Sequence, residues 1–107
     1  MASLIMKGTY TEQGWQGVAS EGFKSRENTI KQFVESQGGK LVGLYFSTGA
    51  DWDWMVIAEG LDPSIAGKAQ IMASGAYGWT TTDVVVSASE ADAETSVRHR
   101  TPGQSSL

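Results

Sequence analysis

The stretch Lys40–Gly60, KLVGLYFSTGADWDWMVIAEG, reads as two strands joined by a tight polar turn. Lys40–Thr48 supplies one strand and Trp52–Glu59 the next, with Gly49-Ala50-Asp51 between them. Gly and Asp tolerate the left-handed backbone angles that short hairpin loops demand. The flanking residues are rich in Val, Leu, Ile, Tyr, Phe and Trp, which fit a pleated, half-buried surface. The alternation inside this hairpin carries further information. A sheet covered by helices on one face should turn polar residues outward on the other. Here both sets are bulky: Trp52, Trp54, Val56 and Ala58 against Asp53, Met55, Ile57 and Glu59. The preceding strand behaves alike, with Leu41, Gly43, Tyr45 and Ser47 against Val42, Leu44 and Phe46.

Upstream of the hairpin, Ala2–Tyr10 reads as a first strand, with Leu4, Met6, Gly8 and Tyr10 on one side and Ile5, Lys7 and Thr9 on the other. Thr11 suits a helix N-cap and Glu12 a first turn. Gly14, Gly17 and Gly22 weaken any long helix there, at about 1 kcal/mol each relative to Ala. The spacing predicts a short helical turn and then an irregular passage. Ser25–Gln37 is the better helix: Ile30, Phe33 and Val34 form a narrow apolar stripe, Ser25 can cap it, and Gly38-Gly39 end it. Downstream, Asp62-Pro63 is a start signal for a helix over Pro63–Ser74, with Ile65, Ala69, Met72 and Ala76 along one face. Trp79–Ser87 is β-branched and reads as the last strand. Ser89–Leu107 is polar, with Val97 and Leu107 its sizeable apolar residues. Ser89–Arg98 has the composition for a turn or two of helix, and the remainder is read as a tail or an arm on a partner subunit.

The order strand, helix, strand, strand, helix, strand makes a ferredoxin-like α+β sandwich, with four antiparallel strands and the helices on one face. Residues 1–89 form that domain and 90–107 the polar tail. The face left without helices is an apolar patch that a second copy of the chain is expected to cover. A homodimer, or a larger homo-oligomer, follows.

Composition narrows the function classes. The 107 residues carry a net charge of −4, which speaks against a nucleic-acid footprint of clustered Lys and Arg. Zero cysteines remove disulfides, thiolate metal sites and a Cys nucleophile. No apolar run approaches the ~20 residues of a membrane span, and the first residues are too short and polar-interrupted for a signal peptide. A cytoplasmic protein without cofactor is the expectation. No phosphate loop, nucleophile elbow or metal-binding cluster is legible.

These residues resemble the GYD-domain family of small bacterial proteins, which belongs among the dimeric α+β barrels. The likeness rests on Thr11-Glu12-Gln13-Gly14, on Gly38-Gly39-Lys40-Leu41, and on Gly43-x-Tyr45. It continues through the name-giving motif, here Gly49-Ala50-Asp51-Trp52-Asp53, into Met55-Val56-Ile57-Ala58-Glu59, and spans roughly Leu4 to Ser89. The chain departs in having Trp52 where tyrosine is expected, with one extra residue before it. The resemblance implies a ferredoxin-like fold and assembly into dimers or rings. It implies little about activity, although fold relatives include cofactor-free monooxygenases and isomerases.

Candidate site residues are few. Asp53, flanked by Trp52 and Trp54, is a candidate general base, because apolar aromatics can raise a carboxyl pKa. The plainer reading is turn chemistry, with the carboxylate bonding backbone N–H groups. Tyr10, Tyr45, Trp52 and Trp54 are candidates to line a pocket for a flat apolar ligand between subunits, or else to form the core of a dimer interface. His99 lies between Arg98 and Arg100 without companion metal ligands, as a solvated tail residue or an acid–base group acting in a neighbour's pocket. The leading expectation is a non-catalytic module that binds a small apolar or aromatic molecule. A cofactor-free enzyme using Asp53 and a structural assembly subunit are the alternatives.

Overall fold

The computed structural model describes residues 3–72 and 75–98. The chain runs β1 (Ser3–Tyr10), α1 (Glu12–Glu21), α2 (Phe23–Ser36), β2 (Lys40–Phe46), β3 (Trp54–Glu59), α3 (Ile65–Met72), β4 (Tyr77–Val85) and α4 (Ala88–Arg98). The strands form one antiparallel sheet in the order β2-β3-β1-β4. Each β-α-β connection therefore steps over one strand, as the ferredoxin-like reading requires. His99, the tail beyond it and the end, at Ala73-Ser74, of the helix predicted over Pro63–Ser74 lie outside the described residues.

The helices settle which alternating set is the core. Leu4, Met6, Trp54, Val56 and Ala58 are buried with Val34 of α2 and Ile65 of α3, and Leu41, Leu44 and Phe46 of β2 pack against them. The opposite set contains Ile5 and Lys7 of β1, Met55 and Ile57 of β3, Tyr45 of β2, and Thr81 and Asp83 of β4. None of those residues is buried, and neither are the first six residues of α4.

Three departures from the sequence reading have physical causes. First, the passage after Thr11 is a ten-residue helix, α1, capped as expected by the Thr11 hydroxyl accepting from Gly14 N–H. The helix penalty of glycine is outweighed because Gly14 is where α1 meets the segment before β4. A Cβ there would sit 2.2 Å from the Ala76 carbonyl oxygen and 2.8 Å from the Tyr10 ring. Gly22, at φ +88°, then turns the chain directly into α2, a conformation glycine adopts without steric cost. The second helix thus begins before Ser25.

Second, β2 does not alternate strictly. A bulge between Leu41 and Gly43 makes Val42 the extra residue, 49% exposed, and returns both Leu41 and Leu44 to the helix face. Third, the hairpin loop is wider than a tight turn and spans 47–53. Ser47 Oγ accepts from both Gly49 N–H and Ala50 N–H, a local bond that competes with strand pairing. Trp52 consequently precedes β3 and does not belong to it.

Elsewhere the signals read true. Gly38 ends α2 at φ +83°. Asp62 Oδ1 accepts from Ser64 N–H ahead of α3, although regular helix begins at Ile65. A further cap passed unread: Ser87 Oγ accepts from Glu90 N–H, opening α4 with the spacing of a capping box.

Candidate functional site

Asp53 stands where three backbone segments meet. Its N–H donates to the Gly8 carbonyl at 2.8 Å, its carbonyl accepts from Ser47 N–H at 3.0 Å, and its Oδ2 accepts from Tyr10 N–H at 2.9 Å. The β1–β4 ladder shifts register between Gly8 and Tyr10. The carboxylate thus takes a backbone donor at an irregular point of β1 and ties that strand end to the hairpin.

Beside this junction the aromatic side chains gather. Tyr10 meets Trp15 of α1 edge-on at 5.0 Å, Tyr77 of β4 at 5.9 Å and Trp54 of β3 at 6.2 Å between ring centroids. Trp54 and Tyr77 lie 5.0 Å apart. Arg26 of α2 reaches back toward α1, where its Nη2 is 3.5 Å from Glu21 Oε2; a Cβ at Gly17 would lie 2.9 Å from that nitrogen. Burial pushes the Tyr10 phenol up to about 12, helped by Tyr77 and Asp53 and opposed by Arg26. Burial raises Tyr77 too, again against Arg26. Both phenols are held neutral, as groups packed among rings must be.

Next to the rings lies a cavity between the sheet and the helices. Its walls include Ile30 and Phe33 of α2, Trp54 and Val56 of β3, Ile65 of α3 and Tyr77 of β4. Its volume is about 40 Å³, more than the roughly 10–15 Å³ that one water requires. Only 6% of Trp54 is exposed, and its Nε1 has no hydrogen-bond partner among the described residues.

The five candidates from sequence that lie among the described residues are therefore not one site. Tyr10 and Trp54 belong to the ring cluster, and Asp53 adjoins it through Tyr10 N–H. Trp52 is partly buried in the hairpin loop. Tyr45 points to the other face of the sheet, 50% exposed, with its ring folded over Gly43, where a Cβ would lie 2.6 Å from its hydroxyl. Trp15, Arg26 and Tyr77 were missed. Trp15 was legible in principle, since it follows Tyr10 by five residues across a capped helix start. Arg26 and Tyr77 reach the cluster only through the tertiary fold.

Among the described residues no group of three His, Asp or Glu is placed to hold a metal ion, and no helix is long and apolar enough to cross a membrane. Comparison with known families finds the GYD domain, matched over residues 4–97. No curated protein and no solved structure matches.

Proposed function

As the chain belongs to the GYD-domain family, we propose that it is a non-catalytic, self-associating module that holds a small apolar or aromatic molecule. The observation that carries this reading is the apolar cavity beside the Tyr10–Trp54–Tyr77 cluster. Such a site offers contact area and shape to a ligand, with no nucleophile–base pair converging on it among the described residues. The sequence reading put the ligand between subunits. The cavity favours a place inside each protomer, on the helix side of the sheet. Among the described residues nothing buries the opposite face, with Ile5, Met55, Ile57 and Tyr45; a second copy of the chain, its sheet packed face to face with this one, would cover it. A cytoplasmic protein without nucleic-acid or membrane partners suits the acidic, cysteine-free composition.

The enzyme alternative, with Asp53 as base, is weakened by the carboxylate's engagement with Tyr10 N–H and by its absence from the cavity wall.

The test is a titration of ¹⁵N-labelled protein with two small apolar probes, xenon and benzene, which dry apolar cavities take up. Saturable shifts at the amides of Ile30, Val56 and Ile65 are expected, and Ala69→Leu, which fills the cavity from α3, should abolish them. A protein indifferent to both probes would refute the module. Turnover that is lost in Asp53→Asn while probe binding survives would favour the enzyme.

A further inference from the structure

The two edges of the sheet are built differently. At one edge, β2 opens on exposed Lys40 and is broken by the bulge at Val42. Lysines and bulges are devices that keep an edge from pairing with another strand. At the other edge, β4 carries neither from Thr80 onward. Residues Thr80–Val86 read TTTDVVV, β-branched at every place but Asp83, and the pairing with β1 is regular from Thr80 to Val85. Among the described residues no strand lies beyond β4. Helix α4 follows at Ala88 without covering the edge: Thr81, Asp83, Val84 and Val86 are exposed, Val84 by 57%. Trp79, Val84 and Val86 are three of the seven large apolar side chains exposed among the described residues.

The pairing groups can be placed. The Gly8 carbonyl accepts from Asp53 N–H, so Gly8 turns its polar groups toward β3 and its neighbour Lys7 turns them toward β4. Lys7, Ile5 and Ser3 stand opposite Thr81, Asp83 and Val85, which therefore bond inward. Alternate residues of an antiparallel strand bond to opposite sides. The N–H and C=O groups of Thr82 and Val84 consequently face away from the sheet.

We propose that β4 is a second interface between copies of this chain, in which two β4 strands pair antiparallel about a twofold axis at Thr82 and join two sheets edge to edge. This register sets Asp83 opposite the partner's Thr81, whose hydroxyl can donate to the carboxylate. It sets Trp79 opposite the partner's Val85, an aromatic–β-branched pair of the kind that stabilises sheets. An axis at Asp83 would oppose two carboxylates, so charge selects against that register. The bulged β2 edge does not match β4, which leaves β4 against β4. The contact is separate from the open-face pairing proposed above. A single strand edge is a narrow joint, so it is the weaker of the two and joins pairs into larger assemblies.

The experiment follows amide hydrogen exchange of ¹⁵N-labelled protein and sedimentation velocity over one concentration series, for the wild type, Val84→Pro and Ile57→Lys. Because Val84 N–H points outward, proline there removes an edge donor and no bond to β1. In the wild type the Thr82 and Val84 amides should exchange roughly tenfold slower in concentrated than in dilute samples. Val84→Pro should stop at pairs, its edge contact weakened roughly 10- to 100-fold by the bond lost on each strand. Should that variant fail to fold, the wild-type exchange decides alone. Thr82 and Val84 amides that exchange alike at every concentration, or a folded Val84→Pro that assembles like the wild type, overturn the edge and leave the open-face pair standing. Association that survives Ile57→Lys and is lost in Val84→Pro upholds the edge and overturns the open-face pair. Edge amides already protected in a monomer, or protected together with the outward amides of β2, overturn the β4–β4 pairing.

Discussion

Replacing Ile57 by Lys separates the open sheet face from the core. Ile57 lies in the middle of β3, opposite Ile5 on β1 and Gly43 on β2, on the side away from Val34 and Ile65. It is already half-buried in the single chain, so pairing with a second copy covers only part of it. Full burial of such a side chain is worth about 1.5–3 kcal/mol, and the lower figure applies here. A twofold-symmetric interface contains the substitution twice. The dimer then loses about 3 kcal/mol, which at about 1.4 kcal/mol per factor of ten weakens it roughly 100-fold, before any repulsion between the two lysines. Sedimentation velocity over a dilution series reads the dissociation constant, and circular dichroism on the same samples reads the fold. The expected result is a folded monomer at concentrations where the wild type is paired. Unchanged association would refute the reasoning, and so would a variant that unfolds instead of dissociating, because Ile57 would then belong to the protomer's own core.

The glycines of α1 and α3 should respond in opposite directions. Gly14→Ala forces a methyl against the Ala76 carbonyl and should cost about 1–3 kcal/mol, seen as a thermal midpoint lower by roughly 5–20 °C. Gly67 has open space around it, and Gly67→Ala should stabilise by about 0.5–1 kcal/mol through helix propensity. Asp53→Ala should cost about 1.5–3 kcal/mol for the lost bond to Tyr10 N–H, whereas Asp53→Asn keeps an acceptor and should lose much less in urea melts. Raising pH acts chiefly through Tyr10, with Tyr77 adding to it. Its pKa is higher in the folded chain, about 12 against the ordinary 10.0, so stability is intact below pH 10 and falls as pH climbs toward 12. Denaturant midpoints followed over that range should show the fall, and Tyr10→Phe should make it shallower, leaving the part that comes from Tyr77, which burial raises as well.

Period-2 patterning found the strands because each carries enough β-branched and aromatic residues to identify itself locally. The end of α2 and the Asp62 start signal were equally local, fixed by the backbone demands of Gly38 and by one side-chain bond. What stayed hidden depended on distant partners. Gly14 looks like a helix breaker until the Ala76 carbonyl is known to lie against it. The bulge at Val42 cannot be read from alternation, since one extra residue swaps the faces of everything before it. Which of the two greasy sets meets the helices was likewise undecided in one dimension. The site suffered most: Trp54 and Tyr45 sit nine residues apart in a hairpin and look like neighbours, yet the sheet lies between them. Trp54 instead joins Tyr77, which follows it by 23 positions across a helix.

Native mass spectrometry of the protein, purified gently from its own cells, tests the central claim most directly, because it weighs subunits and retained small molecules together. Pairs of chains, or multiples of pairs, each carrying one small added mass are predicted. A bare monomer that persists at high concentration, with no added mass, would contradict the account.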